Sequence, residues 1–554
     1  MSKFEVRFNM RGRGRVNNWL PATLLAALLS LAFAFGVATT SSLSWPADSD
    51  LERDSSQAMT IYDGDPLGDP QYVGEMLWYN PLTPSLIALI ARVSNQPVPL
   101  IYTRAGAYLN LLVPILFYVL VAVLLDQWTA LVATAAFLFV QIAPRTSSLF
   151  YATYSAWLFA TNLGQAWMYG TLIIFVIAIR TQRRRWYLLT GVLLGMAFLA
   201  HAGPAIMLGV IIALHTVITV IRDQTQRRAA LINFGLIIGL ALIFSAPLTY
   251  SLVVHYRLVV LNLIPGDSMH RRVALDNFGT YWRDSTIGQP LFLVVVVGFI
   301  SIFKEARRPS SRRVIALWLF GAIGLLAYSY LRQFLKRQSV EIPGFVPSYH
   351  FLIYLTAVES ILFGAGVIAL CRLIAGLIMR LLKARSEAAF TRPRIEYGLV
   401  LAALIGLLIA VWPAYLERED FNDLPRGSVL YGQNADFVNT YNWLRDHARP
   451  IDVVLTSDRL ATYVVGPAGR KIVAGDSFYA NPYVDWKARA ADRDTMFGQL
   501  TAGDCAAFLS IAAKYPVFYV TAGGNLAKAI DAAAPACVEK VLAGSSVQLY
   551  RVVK

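Results

Sequence analysis

Long apolar runs separated by short, strongly polar connections fill the first three quarters of the chain. A transmembrane helix needs about 20 mostly apolar residues to cross roughly 30 Å of hydrocarbon, because its backbone groups must pair within the segment. On that basis the pattern predicts about eleven spans, near 19–40, 100–125, 128–144, 164–180, 186–202, 204–221, 231–250, 290–303, 314–331, 351–371 and 396–413. From about 414 the pattern changes. Short β-type runs at 453–455, 471–473, 517–520 and 547–550 alternate with helical stretches near 434–447, 485–498, 503–514 and 524–534, which predicts an α/β layer. The expected division is a basic N-terminus (1–18), a membrane part (19–413) and an α/β domain (414–554).

Orientation follows from lysine and arginine in the short connections. Lys3, Arg7, Arg11, Arg13 and Arg15 precede the first span. Alternate connections carry Arg180, Arg183, Arg184 and Arg185; Arg222, Arg227 and Arg228; Lys304, Arg307, Arg308, Arg312 and Arg313; and Arg380, Lys383, Arg385, Arg392 and Arg394. All fall on one side, expected to be the cytoplasm. The apolar run of the first span is longer than a usual signal-peptide core, so it is read as an uncleaved anchor. An odd number of spans then places the C-terminal domain outside, as in a multi-pass protein of a bacterial inner membrane.

Composition sharpens this picture. Only 15% of residues are charged and 56% are hydrophobic, against about 25% charged in an ordinary soluble domain, which excludes a simple soluble enzyme. The net charge of +15 is mostly the basic side of the membrane, so it reports topology and not nucleic-acid binding.

The first exported connection, 41–81, holds Asp48, Asp50, Glu52, Asp54, Asp63, Asp65, Asp69 and Glu75 against a single base, Arg53. Acids there could simply mark a translocated loop. Against that stands the placement of Asp48-Ser49-Asp50 where the first helix leaves the bilayer, since carboxylates at a membrane surface can act as bases toward a substrate presented by a lipid. After Trp78-Tyr79-Asn80-Pro81 a short apolar stretch to Arg92 predicts a helix lying in the interface, with Trp78 and Tyr79 at headgroup level.

Later exported connections supply opposite charge. Arg271 and Arg272, with His255, Arg257, His270 and Arg283, lie in 251–289, and Arg332, Lys336, Arg337 and His350 lie in 332–350. Bases outside run against the positive-inside bias, and an anionic ligand such as a lipid phosphate would pair with them. Pairing with acids of the same loops or with lipid headgroups is the plainer alternative. His201 sits at the outer end of a span, where a polar residue is packed against a partner or functional; His215 and Glu359 lie deeper.

Cys505 and Cys537 both lie in the exported domain, where an oxidising compartment permits a disulfide and leaves their pairing open. There is no zinc-ligand spacing, no Gly-x-Ser-x-Gly and no Walker loop, which argues against a hydrolase or an ATP-driven pump. A transporter of a lipid-linked or anionic substrate, or a non-catalytic envelope-assembly protein, would share the span count. The chain shows no convincing internal repeat, however, and its charge crowds the outer rim instead of the bilayer centre.

The order of these features resembles the GT-C superfamily of polyprenyl-phosphate-sugar-dependent glycosyltransferases. A basic N-terminus, one span, an acidic loop with Asp-x-Asp just after it, a helix after Asn80-Pro81-Leu82-Thr83-Pro84, further spans and an exported α/β domain cover essentially the whole chain. Within the superfamily it is similar to arabinofuranosyltransferases and to the aminoarabinose and protein-mannosyl transferases. The resemblance implies transfer of a sugar from a polyprenyl phosphate to a hydroxyl of a glycan, lipid or protein, usually with inversion. It places the first-loop acid on Asp50, with Asp48 beside it and Asp63 and Asp65 as second choices. Arg271, Arg272, Arg332, Lys336, Arg337 and His350 are the candidates for the donor phosphate, with His201 and Tyr79 as further site candidates. Residues 145–163 lack the second-loop carboxylate of some members, so no required metal and no cofactor are expected.

Overall fold

The computed structural model of the chain describes residues 19–46, 48–140, 154–262, 291–305, 309–344, 346, 349–383, 392–477 and 479–553. The first span is helix α1 (Leu20–Thr40). A helix inside the acidic connection follows, α2 (Ser49–Tyr62), and then the expected short helix, α3 (Leu82–Ser94). The next span is broken at Asn110 into α4 (Val98–Leu109) and α5 (Leu112–Leu124). Helices α6 (Gln127–Phe139), α7 (Ala160–Thr181), α8 (Arg184–Ala200), α9 (Ala202–Arg222) and α10 (Arg227–Phe244) come next, and then helices over Phe292–Glu305, Pro309–Arg337, Tyr349–Lys383 and Arg392–Leu416.

Among the described residues, eight helices are long and apolar enough to cross a membrane. The other three predicted spans fall on α6, α8 and the helix Phe292–Glu305, which are shorter. Helix α2 was not anticipated, because a run of acids and serines carries no apolar period. Its local signal is the N-cap: the Asp48 side chain accepts from Asp50 N at 2.8 Å, and Asp50 and Glu52 occupy the first turn, where negative charge meets the unpaired N–H groups.

Close packing in the bundle depends on small residues. A Cβ at Gly191 or Gly195 of α8 would stand 2.7 Å from the carbonyl oxygens of Ile237 or Ala241 on α10, the close approach that a small-xxx-small pair allows. Gly298 and Gly366 do the same between the helices Phe292–Glu305 and Tyr349–Lys383. Interhelical bonds mark the two ends. At one, the Arg180 guanidinium donates to Val123 O at 3.0 Å and to Ser311 Oγ at 2.9 Å, and that of Arg313 to Thr219 Oγ1, so basic connections gather there. At the other, Asn80 Nδ2 donates to Phe198 O, Ser251 Oγ to Leu77 O, and His201 stacks on His350.

The C-terminal part is built on a five-stranded sheet of order β2-β1-β3-β5-β4, with β1 (Val453–Leu455), β2 (Lys471–Ile472), β3 (Val517–Ala522), β4 (Val538–Leu542) and β5 (Gln548–Val552). β1 runs parallel to β2 and β3, and β5 runs antiparallel to β3 and β4. Strand β4 escaped prediction because Glu539 and Lys540 interrupt its apolar run; as an edge strand it exposes both. Cys505 and Cys537 form a disulfide with their Cα atoms 5.2 Å apart.

The acidic connection and this domain share one core. Trp45 and Tyr72 are buried among Phe437, Tyr441, Leu444, Val464 and Leu549, and Ile472 N donates to Gln71 O at 2.8 Å. The sequence pattern showed two separate apolar systems and could not show that the loop inserts side chains into the second.

Candidate active site

The site is built on the first turns of α2. One face of that helix lies against the membrane helices and the other against the C-terminal domain, so Glu52, Asp54, Ser55, Ser56 and Gln57 are all buried despite their polarity. Arg53 organises the acids around it. Its guanidinium donates to Asp54 Oδ1 through Nε (2.9 Å) and Nη2 (2.8 Å), and to Asp50 Oδ1 through Nη1 (2.8 Å). Its Cζ also lies 3.8 Å from the centre of the Tyr79 ring, so cation–π attraction adds to two ion pairs. Asp54 is almost fully enclosed, whereas the Asp50 side chain keeps 24% exposure. Asp50 Oδ2 makes no hydrogen bond among the described residues, and the carboxylate therefore stands at the rim with one oxygen held and one available.

From Arg53 the contacts lead inward. Tyr79 meets His201 edge-on, ring centres 6.4 Å apart, and His201 stacks on His350 at 4.9 Å. His201 caps α9, its Nδ1 accepting from Gly203 N at 3.1 Å while Nε2 stands 3.3 Å from Thr161 Oγ1. With Nδ1 accepting, the neutral ring carries its proton on Nε2 and donates to Thr161. Four of the residues singled out from sequence, Asp50, Tyr79, His201 and His350, thus form one contact chain, with Asp48 at the helix cap beside it. Arg53, the residue that joins them, had been counted only as the lone base of its loop; its position three residues after Asp50 and next to Asp54 was the available signal.

None of the contacts in that chain involves the remaining described candidates. Asp63 is at the far end of α2, about 20 Å along the helix from Asp50 at 1.5 Å per residue. There it accepts from Arg445 at 2.8 Å and Arg470 at 3.1 Å, which clamps the C-terminal domain to the loop. Asp65 is exposed on the turn that follows. Arg332 donates from Nε to Ile342 O at 3.3 Å, and Lys336 and Arg337 are exposed at the end of their helix. Among the other bases of these connections, His255 Nε2 lies 3.9 Å from Glu75. Arg271 and Arg272 lie outside the described residues. Among the described residues no three His, Cys, Asp or Glu side chains are grouped to hold a metal ion, and a guanidinium sits between Asp50 and Asp54.

Burial sets the proton affinities. It raises Asp48 to about 7, with the like charge of Asp50 adding to the effect, and it raises Asp54 and Asp69 to about 6. Glu52, fully buried beside Trp45, is held well above the usual carboxylate range for the same reason. Each group binds its proton more tightly folded than unfolded. The stability these groups contribute is therefore complete below about pH 4 and is lost as pH rises through about 6 to 7. The melting temperature of the detergent-solubilised protein should fall across that window. Asp48→Asn keeps an N-cap acceptor and should remove part of the fall; a wild-type melting temperature that climbs through the window would contradict the assignment.

Solved structures share the fold of the chain. The apo oligosaccharyltransferase of Archaeoglobus fulgidus superposes with a TM-score of 0.55 over 94% of this chain and 72% of its own, at 13% identity. ArnT from Cupriavidus metallidurans in the apo state gives 0.57 over 96% of this chain and 98% of its own, at 12% identity. This chain has the GT-C fold. The mycobacterial arabinofuranosyltransferase AftD carries the same likeness at a TM-score of 0.51 and 14% identity, over 96% of this chain and 40% of its own. No protein-family model and no curated protein matches the sequence, as expected where a GT-C fold persists at such low identity. Its acid site lies on the helix that follows the first span.

Proposed function

We propose that the chain is an integral membrane glycosyltransferase that takes a sugar from a polyprenyl-phosphate donor and passes it, with inversion, to a hydroxyl of a glycan, lipid or protein on the exported face. The observation that carries this reading is the half-held carboxylate of Asp50, at the rim of the bundle where α1 ends, on a GT-C fold. The ArnT structure solved with undecaprenyl phosphate and the archaeal oligosaccharyltransferase solved with a dolichol-phosphate support a lipid-linked donor.

In this reading Asp50 Oδ2 takes the proton of the acceptor hydroxyl as that oxygen bonds to the anomeric carbon and the bond to the donor phosphate breaks. Arg53 keeps the carboxylate oriented through Oδ1. The departing phosphate is stabilised by cationic side chains, drawn from Arg271, Arg272, Arg332, Lys336, Arg337 and His350. The GT-C neighbours and the gathering of the basic connections at the opposite end support an exported position for the acid site. Purified protein given a radiolabelled polyprenyl-phosphate sugar together with glycan, lipid and protein acceptor fractions should bind the donor, label an acceptor and release polyprenyl phosphate; absence of both binding and release across a panel of pentose and hexose donors would overturn the reading.

A further inference from the structure

A short strap of the C-terminal domain, Tyr479 to Trp486, touches three things at once. Tyr479 Oη is hydrogen-bonded to Ser49 Oγ, and Ser49 is the first residue of α2, between the capping Asp48 and Asp50. Two residues on, Asn481 Nδ2 donates to Asp69 Oδ2 at 2.7 Å and to Tyr256 Oη at 2.9 Å. Asn481 O then accepts from Asn262 Nδ2 at 2.8 Å, and Pro482 O from Leu261 N at 2.8 Å and Asn262 N at 3.0 Å. Tyr483 stacks on Tyr256 with ring centres 4.8 Å apart, and Trp486 N donates to Asn262 Oδ1 at 3.1 Å. The strap is thus pinned to the acidic connection and to the segment after α10, and it meets the first turn of α2 through a phenol hydroxyl. The other side chains there are already engaged: Asp48 with Asp50 N, Arg53 with Asp50 Oδ1. Ser49 is a point at which the distant domain holds that turn.

We propose that Tyr479 is a positioning residue of the acid site: through Ser49 it fixes the turn that carries Asp50, so that docking of the C-terminal domain sets the orientation of the carboxylate. This rests on the glycosyltransferase reading for its consequence, but not for its geometry. The hydrogen bond to Ser49 reaches Asp50 through one peptide unit, and a shift of about an ångström at a reacting carboxylate is enough to slow a proton transfer. The ring of Tyr479 keeps its packing when only the hydroxyl is removed, which separates positioning from folding.

The test uses full-length protein in detergent with Tyr479→Phe, Ser49→Ala and the double variant. With a radiolabelled polyprenyl-phosphate sugar, each single change should lower kcat by about three- to tenfold, the range of one lost hydrogen bond, and leave KM for the donor unchanged. The double variant should be no slower than either single one, because both remove the same contact. Losses that multiply in the double variant, or a donor KM that moves with kcat held, would overturn the proposal. Amide exchange over residues 48–54 reads the same contact without turnover: both single variants should exchange faster there and alike. Wild-type protein that turns over no donor refutes the glycosyltransferase reading alone, whereas unchanged exchange in Tyr479→Phe refutes the role of Tyr479.

Discussion

Asp50→Asn should lower sugar transfer by about 10²–10⁴-fold, the usual contribution of a general base, with insertion and folding intact. The amide oxygen of the variant can still accept from Arg53, and Arg53 keeps its two bonds to Asp54, so the ion-pair cluster loses one charge without leaving a buried cation bare. Asp48→Asn should cost much less. The Asp48 carboxylate is already committed to the cap, accepting from Asp50 N at 2.8 Å, and an asparagine oxygen caps nearly as well. Initial rates with a radiolabelled polyprenyl-phosphate sugar separate the two: Asp50→Asn at wild-type rate would remove Asp50 as the base, and a loss confined to Asp48→Asn would move the role to its neighbour.

Arg418→Met should destabilise the protein by about 3–5 kcal/mol, the cost of breaking a buried ion pair from one side. Arg418 and Asp420 are 2% and 0% exposed and joined at 2.7 Å. Arg418 also donates to Tyr154 O at 2.9 Å, while Trp157 Nε1 donates to Asp420 O at 2.9 Å. Asn110, at the break between α4 and α5, holds the same loop by donating to Ser155 O and Trp157 O at 3.0 and 2.8 Å. The pair therefore fastens the segment leading into α7 to the start of the C-terminal domain. Thermal melting in detergent should show a large drop for Arg418→Met and recovery in Arg418→Met with Asp420→Leu, which removes both charges. A double variant as unstable as the single one would mean that the carbonyl contacts, and not the charge pair, hold the junction.

These effects bear unequally on what a reading of residues alone can reach. The membrane spans were legible because hydrocarbon tolerates only long apolar helices, so a one-dimensional run of residues states a three-dimensional fact. Strands β1, β2, β3 and β5 were legible from short apolar runs. Helix α2 and strand β4 were not, since the first is a polar helix buried between two other parts of the chain and the second is an edge on which Glu539 and Lys540 face water. The acids of the first loop were all visible as acids, but their sorting was not. Asp50, Asp54 and Asp63 have the same chemistry and lie within fourteen residues of one another, yet one stands at the rim, one is enclosed by Arg53 and one is clamped by Arg445 and Arg470.

By itself the sequence determined that the chain is a multi-pass membrane protein, that its basic residues cluster in alternate connections, and that an acidic loop follows the first span ahead of a C-terminal α/β domain. These follow from hydropathy and charge, which act residue by residue. Only the tertiary structure decided which carboxylate stands available, that Arg53 joins Asp50 to Tyr79, and that Tyr479, 430 positions from Ser49, reaches the first turn of the acid helix. Such contacts are set by the packing of one domain on another, where a hydrogen bond forms or fails over a few tenths of an ångström, and no periodicity along the chain encodes that distance.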